Sequence, residues 1–380
     1  MKTLIISLEY PPTIGGIASY VHSMSAHLSP AEIVVYAPCV AGDKEFDKQF
    51  PWPVYRRRPY WLIWPRWLRL LFQVWRIITK ESVKLIHIHH VLPVGYVGYV
   101  IKKIFRIPYV LFLHGSDLAL ISVHQRKLKK CALICRAASQ IIVNSQFLQN
   151  KLIGLIDNIP AVTVLNPCPA DIFFQPIDDK RLNHLRSQFA LDGKKVIITV
   201  ARFVDGKGYP HLARILPLVA REIPNIAWLI IGDGPKRPAV LKQIQSSNLQ
   251  NIVRFFGVIP FMELPLYYHL AQVFVALTHA DEGKEEGWGT VFLEAAASGL
   301  PVVAGRVGGV EEAVENLKTG IIVDIHQEKA VVSSIVELLK NPDYARAMGQ
   351  AGRDRALREF TWEKQIKKLE TGLSSRRAMN

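Results

Sequence analysis

The segment Glu286-Gly287-Trp288-Gly289-Thr290-Val291-Phe292-Leu293-Glu294 carries two carboxylates eight positions apart, on either side of a Gly-x-Gly turn that runs into Ala295-Ala296-Ala297. Glycines followed by small helix formers read as a loop entering a helix, with Glu286 in the loop and Glu294 one to two turns inside. The first amides of such a helix, near Thr290 and Val291, are free to hold an anion, helped by the positive end of the helix dipole. Two carboxylates beside an amide cradle suit a ligand with hydroxyls at both ends and phosphates between, which is the chemistry of a nucleotide-sugar. An ordinary helix N-terminus with acids in its first turn competes with this reading, and a bare spacing match favours it.

Other residues could join that chemistry. In Arg202-Phe203-Val204-Asp205-Gly206-Lys207-Gly208, one short loop offers a guanidinium fork and an ammonium, the pair a diphosphate needs as it becomes a leaving group. Two surface cations would explain the same pair. Gly15-Gly16 lets the backbone approach a phosphate closely, or marks a plain turn. His114-Gly115-Ser116-Asp117 puts a histidine at a strand end, where a structural histidine is the commoner finding. His87-x-His89-His90 has the spacing of two ligands on one strand face, but no carboxylate or cysteine partner accompanies it, so no metal site is expected.

These residues need elements to position them. Short apolar strands are expected at Lys2–Leu8, Glu32–Tyr36, Leu85–His89, Tyr109–Leu113 and Gln140–Val143, with a helix from about Ile17 to Leu28. The second half repeats the alternation with strands at Lys195–Ala201, Ala227–Gly232, Val253–Gly257, Val273–Leu277 and Pro301–Ala304. Alternating strands and helices mean parallel α/β sheets. Asn166-Pro167-Cys168-Pro169-Ala170-Asp171 reads as a proline-dense linker. The expected organisation is a first domain over 1–169, a second over 170–355, and a helical tail over 356–380.

At 380 residues and 49% hydrophobic composition, the chain has room for two domains with large cores, and disorder is not expected. Cys39, Cys131, Cys135 and Cys168 are too few and scattered for a disulfide framework, which points to reduced thiols in the cytoplasm. No secretory leader and no run of about 18 uncharged apolar residues is found. The net charge of +15 implies a polyanionic partner: nucleic acid, anionic lipid or an acidic substrate. From Lys48 to Lys80 there is no acid, and the stretch holds Arg57, Arg66, Arg69 and Arg76 among Trp52, Trp61, Trp64, Trp67 and Trp75.

On a helix, Leu68, Leu71, Phe72, Trp75 and Ile78 share one face, and Arg66, Arg69, Gln73, Arg76 and Lys80 the other. A basic, tryptophan-rich amphipathic segment lies flat in a bilayer interface, so Arg57, Trp61, Trp64, Arg66, Trp67, Arg69 and Arg76 are the expected membrane contacts. A core-facing helix with a solvated basic side is the plainer alternative. Nucleic acid is not expected, because no zinc finger, RRM or helix-turn-helix signature appears.

The Glu-x7-Glu spacing, followed by Gly299-Leu300-Pro301-Val302-Val303-Ala304-Gly305, Gly308-Gly309 and Glu311-Glu312, resembles the signature of retaining glycosyltransferases of the group 1 / family 4 type, which include the phosphatidylinositol mannosyltransferases. Arg202 and Lys207 match that family's Arg-x4-Lys-Gly element, with Gly206 standing where glutamate is common. His114 to Asp117 matches its His-Gly-x-Asp element, and Gly15-Gly16 its first-domain glycine loop. The resemblance implies the α/β GT-B fold: two facing Rossmann-like domains, a cleft between them, and a tail helix crossing back onto the first domain.

It further implies that Glu294 binds the donor ribose, and Glu286 the hydroxyls of the transferred sugar. The amides near Gly289, Thr290 and Val291 would hold the diphosphate, the Gly257 region would wall the base, and His114 would lie near the reacting sugar. Transfer would retain configuration, with Arg202 and Lys207 in place of a metal, no cofactor beyond the nucleotide-sugar co-substrate, and GDP-mannose slightly favoured over UDP-sugars. The acceptor would be a lipid-linked or glycan molecule at an anionic membrane, on the inner face of the plasma membrane. A soluble transferase making a small glycoside, a nucleotide-sugar epimerase and a non-catalytic binding protein are the competing functions.

Overall fold

In the computed structural model, residues 1–13, 15–57, 67–122, 124–281 and 286–377 are described. Chain contacts divide it into two units, Met1–Pro167 with Trp362–Asn380, and Cys168–Thr361.

The first unit is built on a seven-stranded parallel sheet in the order β3-β2-β1-β4-β5-β6-β7. The strands are β1 (Thr3–Ile6), β2 (Ile33–Pro38), β3 (Val54–Arg57), β4 (Leu85–Ile88), β5 (Tyr109–Leu113), β6 (Gln140–Val143) and β7 (Val162–Val164). Between them run α1 (Gly16–Ala26), α2 (Asp43–Asp47), α3 (Trp67–Glu81), α4 (Val94–Phe105), α5 (Gly115–Ser122), α6 (Gln125–Ala137) and α7 (Gln146–Leu155). The central strands are near-continuous apolar runs and are buried, as a parallel sheet covered by helices on both faces requires. The period of two divides their side chains. Leu4, Ile6, Ile86, Ile88, Leu111 and Leu113 meet the helices α3, α4 and α6 in one core. On the alternate positions His87 and His89 pack on Phe112, and His89 also meets Tyr20 of α1.

The second unit has a six-stranded parallel sheet in the order β10-β9-β8-β11-β12-β13. Its strands are β8 (Lys195–Val200), β9 (Ile226–Ile231), β10 (Val253–Gly257), β11 (Val273–Ala276), β12 (Val302–Gly305) and β13 (Gly320–Val323). Its helices are α8 (Asp179–Gln188), α9 (Tyr209–Glu222), α10 (Arg237–Ser246), α11 (Leu264–Leu270), α12 (Thr290–Ala297), α13 (Val310–Ala313), α14 (Glu328–Lys340) and α15 (Pro342–Glu359).

The helical tail is interrupted at Phe360-Thr361, and α16 (Trp362–Arg377) belongs to the first unit, packed on α1. Trp362 is buried there, its ring 5.2 Å from that of Tyr20. The proline-dense segment is tied into the same unit. The amide of Asn166 donates to the Gln365 side chain (3.1 Å), and its Nδ2 donates to the Asn144 carbonyl (3.0 Å).

Candidate functional site

The acidic loop and α12 are shaped by glycines at two places. Gly289 precedes α12 with φ 82°, and a Cβ there would lie 2.5 Å from the Phe292 ring. Gly308, at φ 55°, would bring a Cβ to 2.0 Å from the Glu286 carbonyl oxygen, while the Gly309 amide donates to that oxygen at 3.0 Å. The Gly-Gly turn therefore clamps the backbone of Glu286, an approach that a side chain at Gly308 would block. At the start of α12 the amides of Thr290 and Val291 precede the first intrahelical acceptor, and no side chain caps them.

The cationic loop lies against the same strand ends. Gly206 (φ 80°) accepts from the His279 amide at 3.0 Å. Gly208 (φ 78°) starts α9, and a Cβ on it would fall 2.1 Å from the Leu277 carbonyl. A glutamate at 206 would be strained, so the glycine follows from the turn. Lys207 donates to the Glu286 carboxylate, so two residues expected to act on the ligand already hold each other. Arg202 is exposed, and among the described residues it makes no side-chain hydrogen bond or ion pair.

Glu294 is buried, only 8% exposed, and its Oε2 accepts a hydrogen bond of 2.9 Å from the hydroxyl of the fully buried Tyr268. Burial pushes the Glu294 carboxyl up to about 7, against the hydrogen bond from Tyr268, which favours the charged form. Burial, and then the Glu294 charge, raise the Tyr268 phenol well above its ordinary value. The Tyr268 ring is fixed by Phe173 (5.6 Å) and Phe274 (5.8 Å). Gly257 ends β10 at φ 67° and accepts from the Gly232 amide at 2.7 Å, with open space where a side chain would project. Nearby on β10, Phe255 carries the Arg237 guanidinium 4.3 Å from its ring centroid.

The first unit holds the other expected residues. Gly15 precedes α1 and Gly16 begins it. A Cβ on Gly15 would sit 3.1 Å from the Glu9 carboxylate, whereas Gly16 borders open space. His114, 3% exposed, accepts a hydrogen bond at Nδ1 from the Asn144 side-chain Nδ2 (3.1 Å), and its Nε2 has no partner. Burial, with the His90 charge adding, lowers His114 to about 3, so the ring is neutral at physiological pH. Asp117 accepts from the amides of His114 (3.0 Å) and Val91 (3.2 Å), so it holds two loops' backbones rather than the imidazole. His87 and His89 are buried with no hydrogen-bond partner at any ring nitrogen. Among the described residues no group of three His, Cys, Asp or Glu is arranged to hold a metal ion.

The basic stretch divides into parts with different roles. Trp61, Trp64 and Arg66 lie outside the described residues. Trp52 is a core residue whose Nε1 donates to Tyr10 (3.2 Å), and Arg56 pairs with Asp47 (2.8 Å). Arg57 ends strand β3, exposed. The stripe expected as one apolar face of α3 is split. Val74, Ile77 and Ile78 are buried with Leu71 packed beside them, while Leu68, Phe72 and Trp75 are exposed beside Arg76 and Lys80. A rotation of under half a turn about the helix separates the two sets, which a single apolar stripe obscures. Trp67 stacks on Tyr96 at 6.0 Å, and Arg69 is half-buried.

The structure thus joins Lys207 with Glu286, and sets Arg202 and the α12 amides on the neighbouring loops. Sequence reasoning missed Tyr268 and Asn144. Tyr268 follows another tyrosine in an apolar stretch without any distinguishing spacing. Asn144 sits at the end of β6 in Asn144-Ser145, where a polar residue at a parallel strand's carboxyl end was the available signal.

Residues 181–355 match the family described as glycosyl transferases group 1, and residues 14–171 the one described as Glycosyltransferase Family 4. The chain is 30% identical over 381 residues to the GDP-mannose-dependent alpha-(1-6)-phosphatidylinositol monomannoside mannosyltransferase of Mycolicibacterium smegmatis, with 98% of each protein covered. It is 27% identical to the GDP-mannose-dependent monoacylated alpha-(1-6)-phosphatidylinositol monomannoside mannosyltransferase of Corynebacterium glutamicum, with 95% of each covered. Among solved structures, HepE of Anabaena in complex with UDP and glucose matches with a TM-score of 0.84 at 22% identity, over 99% of this chain and 100% of that one.

Proposed function

The chain belongs to the glycosyl transferases group 1 family and is a glycosyltransferase of GT-B fold that uses a nucleotide-sugar, and from that premise we propose that it moves mannose from GDP-mannose, with retention, to a glycolipid acceptor at an anionic membrane surface. The observation that carries the donor half is the Lys207–Glu286 pair in one unit with the uncapped α12 amides, the exposed Arg202 and the buried Glu294. The names of the mycobacterial and corynebacterial relatives support GDP-mannose as donor and a phosphoinositide mannoside class of acceptor.

In this reading the diphosphate lies against the amides of Gly289, Thr290 and Val291, with Arg202 forking its oxygens. Lys207 neutralises the charge that builds on the leaving phosphate, so no metal is required. Glu294, with one oxygen tied to Tyr268, offers the other to the ribose hydroxyls, and Gly257 leaves room for the base. Glu286 accepts from hydroxyls of the transferred sugar, and its bond to Lys207 couples sugar recognition to leaving-group charge. The bond between the anomeric carbon and the diphosphate oxygen breaks, that oxygen leaving with the diphosphate, as the acceptor oxygen bonds to the carbon on the same face, and the acceptor proton passes to the departing phosphate. His114, neutral and with Nε2 unpartnered, is assigned to hydrogen bonding with the sugar hydroxyls and not to proton transfer. The exposed apolar and basic residues of α3 supply the membrane contact, and the protein works as a peripheral one.

The test is a metal-free donor panel by saturation-transfer NMR with GDP-mannose, UDP-glucose, UDP-galactose and UDP-N-acetylglucosamine, with Glu294→Ala as control. Binding of GDP-mannose alone, lost in the variant, is expected. Binding of a UDP-sugar instead overturns the donor assignment, and donor binding that survives Glu294→Ala overturns the site.

A further inference from the structure

The charge of this protein is confined to one part of the chain. Residues 48–156 hold 18 of the 47 Lys and Arg but only two of the 32 Asp and Glu, so this stretch carries +16 and everything outside it −1. The two acids do not offset its outer surface. Glu81 accepts from the Tyr55 hydroxyl, and Asp117 is buried on backbone amides.

The stretch includes α3, α4 and α6, which lie side by side on one face of the first sheet, α4 touching both others. Each turns a mixture of apolar and basic residues outward. On α4 the last turn and the residue after it, Lys103-Ile104-Phe105-Arg106, are all exposed, Ile104 by 64%. The Phe105 ring stacks on Trp75 of α3 at 6.4 Å, so the exposed apolar residues of the two helices form one patch with Phe72 and Leu68. On α6, Arg126, Lys130 and Leu133 follow one another at helical spacing on the exposed side, with Lys129 beside them. Among the described residues none of Arg76, Lys103, Arg106, Lys129 and Lys130 forms an ion pair, although ion pairs are common in the second unit.

We propose that the outer surface of the α3, α4 and α6 layer is one docking face for an anionic lipid bilayer, with the Ile104-Phe105 corner of α4 and the basic ridge of α6 as parts of it. The proposal rests on the membrane-surface reading above and enlarges its footprint from one helix to three. Large apolar side chains standing among unpaired cations match the acyl boundary and the anionic headgroups together. A nucleic-acid backbone would use the cations but gains nothing from Ile104, Phe105 and Leu68 on the surface. A second copy of the chain would bring two strongly positive faces together.

The test is co-sedimentation of the full chain with vesicles of phosphatidylcholine containing 30% phosphatidylglycerol, and with pure phosphatidylcholine, at physiological salt. Ile104→Ser/Phe105→Ser and Lys129→Glu/Lys130→Glu are compared with a reference on α3, Phe72→Ser/Trp75→Ser. Each of the three pairs is expected to weaken binding to the anionic vesicles by about tenfold or more, since each cation near such a surface contributes on the order of a factor of five and each large apolar side chain that enters the interface at least about as much. The α6 pair should leave the weak binding to neutral vesicles unchanged. Donor binding without vesicles should be the same in all, which also reports that each variant is folded.

If only the α3 pair loses binding, the three-helix face is wrong while the single-helix membrane reading stands. A wild-type chain that ignores anionic vesicles overturns both, and the glycosyltransferase reading is then judged by donor binding alone. Self-association of the wild type that Ile104→Ser/Phe105→Ser abolishes, or tighter binding to duplex DNA than to the vesicles, also overturns the proposal.

Discussion

Replacing Glu294 by glutamine should stabilise the free protein at neutral pH while destroying its hold on the donor, and the two effects should separate by pH. Burial raises the Glu294 carboxyl from 4.5 to about 7 in the folded chain. In the unfolded chain it ionises near its ordinary value. Between those two values the folded state binds more protons than the unfolded one, so raising the pH favours unfolding. The stability lost from pH 4.5 to 7 is about 3 kcal/mol, at about 1.4 kcal/mol per pH unit, and above pH 7 the loss is constant. Glutamine keeps an oxygen for the Tyr268 hydroxyl and does not titrate. Its new amide donors, left without partners, cost about 1–3 kcal/mol at every pH.

The informative quantity is therefore the difference between Glu294→Gln and wild type as pH changes. Urea unfolding at pH 5 and pH 8 should show the variant gaining about 2–3 kcal/mol on the wild type between them, equivalent to roughly 5–10 °C in the second unit's thermal transition. Donor titration at pH 8 should show a loss of about 10- to 100-fold, the scale of one hydrogen bond to a charged acceptor. In wild type, donor affinity should fall below pH 7 as Glu294 takes up its proton. A stability difference that stays flat from pH 5 to 8, or moves the other way, refutes the buried-charge account of this site.

Two further outcomes follow from the loops. Arg202→Ala should lower kcat by about 100-fold, and Arg202→Lys should restore only part of it, because the fork is lost; steady-state transfer kinetics decide this, and an unchanged kcat removes Arg202 from the leaving group. Gly308→Ala should cost about 2–4 kcal/mol, combining left-handed backbone strain with the clash on the Glu286 carbonyl. Its donor affinity should fall at least about tenfold in the same preparations, as read by urea unfolding and donor titration.

What could be read from the residues in advance follows a physical divide. Strands in the middle of each sheet, such as β5, β6 and β11, coincide with the apolar runs that announce them. The strands that were not foreseen are β3, β7 and β13, and each is the edge of its sheet. An edge strand needs only one neighbour and half the burial, so its composition is free to be polar or short. β3 ends in Arg56-Arg57 and its residues are only half-buried or exposed, and β7 is three half-buried residues. β13 is fully buried but opens on Gly320, whose Cβ would meet the Val302 carbonyl at 2.7 Å, so a glycine that reads as a breaker is there because the neighbouring strand is close.

The site divides in the same way. A glycine bound to a local turn, such as Gly289 with Phe292 three positions on, is visible in the order of residues because its reason lies within a few positions. Tyr268, Asn144 and the Gly308 clamp act on residues 26, 30 and 22 positions away, through contacts that only the assembled sheets create. The same separation explains why α3 misled: a helix records that some residues are apolar, but which of them meet the core is decided by α4 and the sheet beneath. The order of residues therefore places Leu68, Phe72 and Trp75 on one apolar face with Leu71 and Ile78, whereas only the first three are exposed, and that exposure is the stronger reason to look for a partner outside the protein.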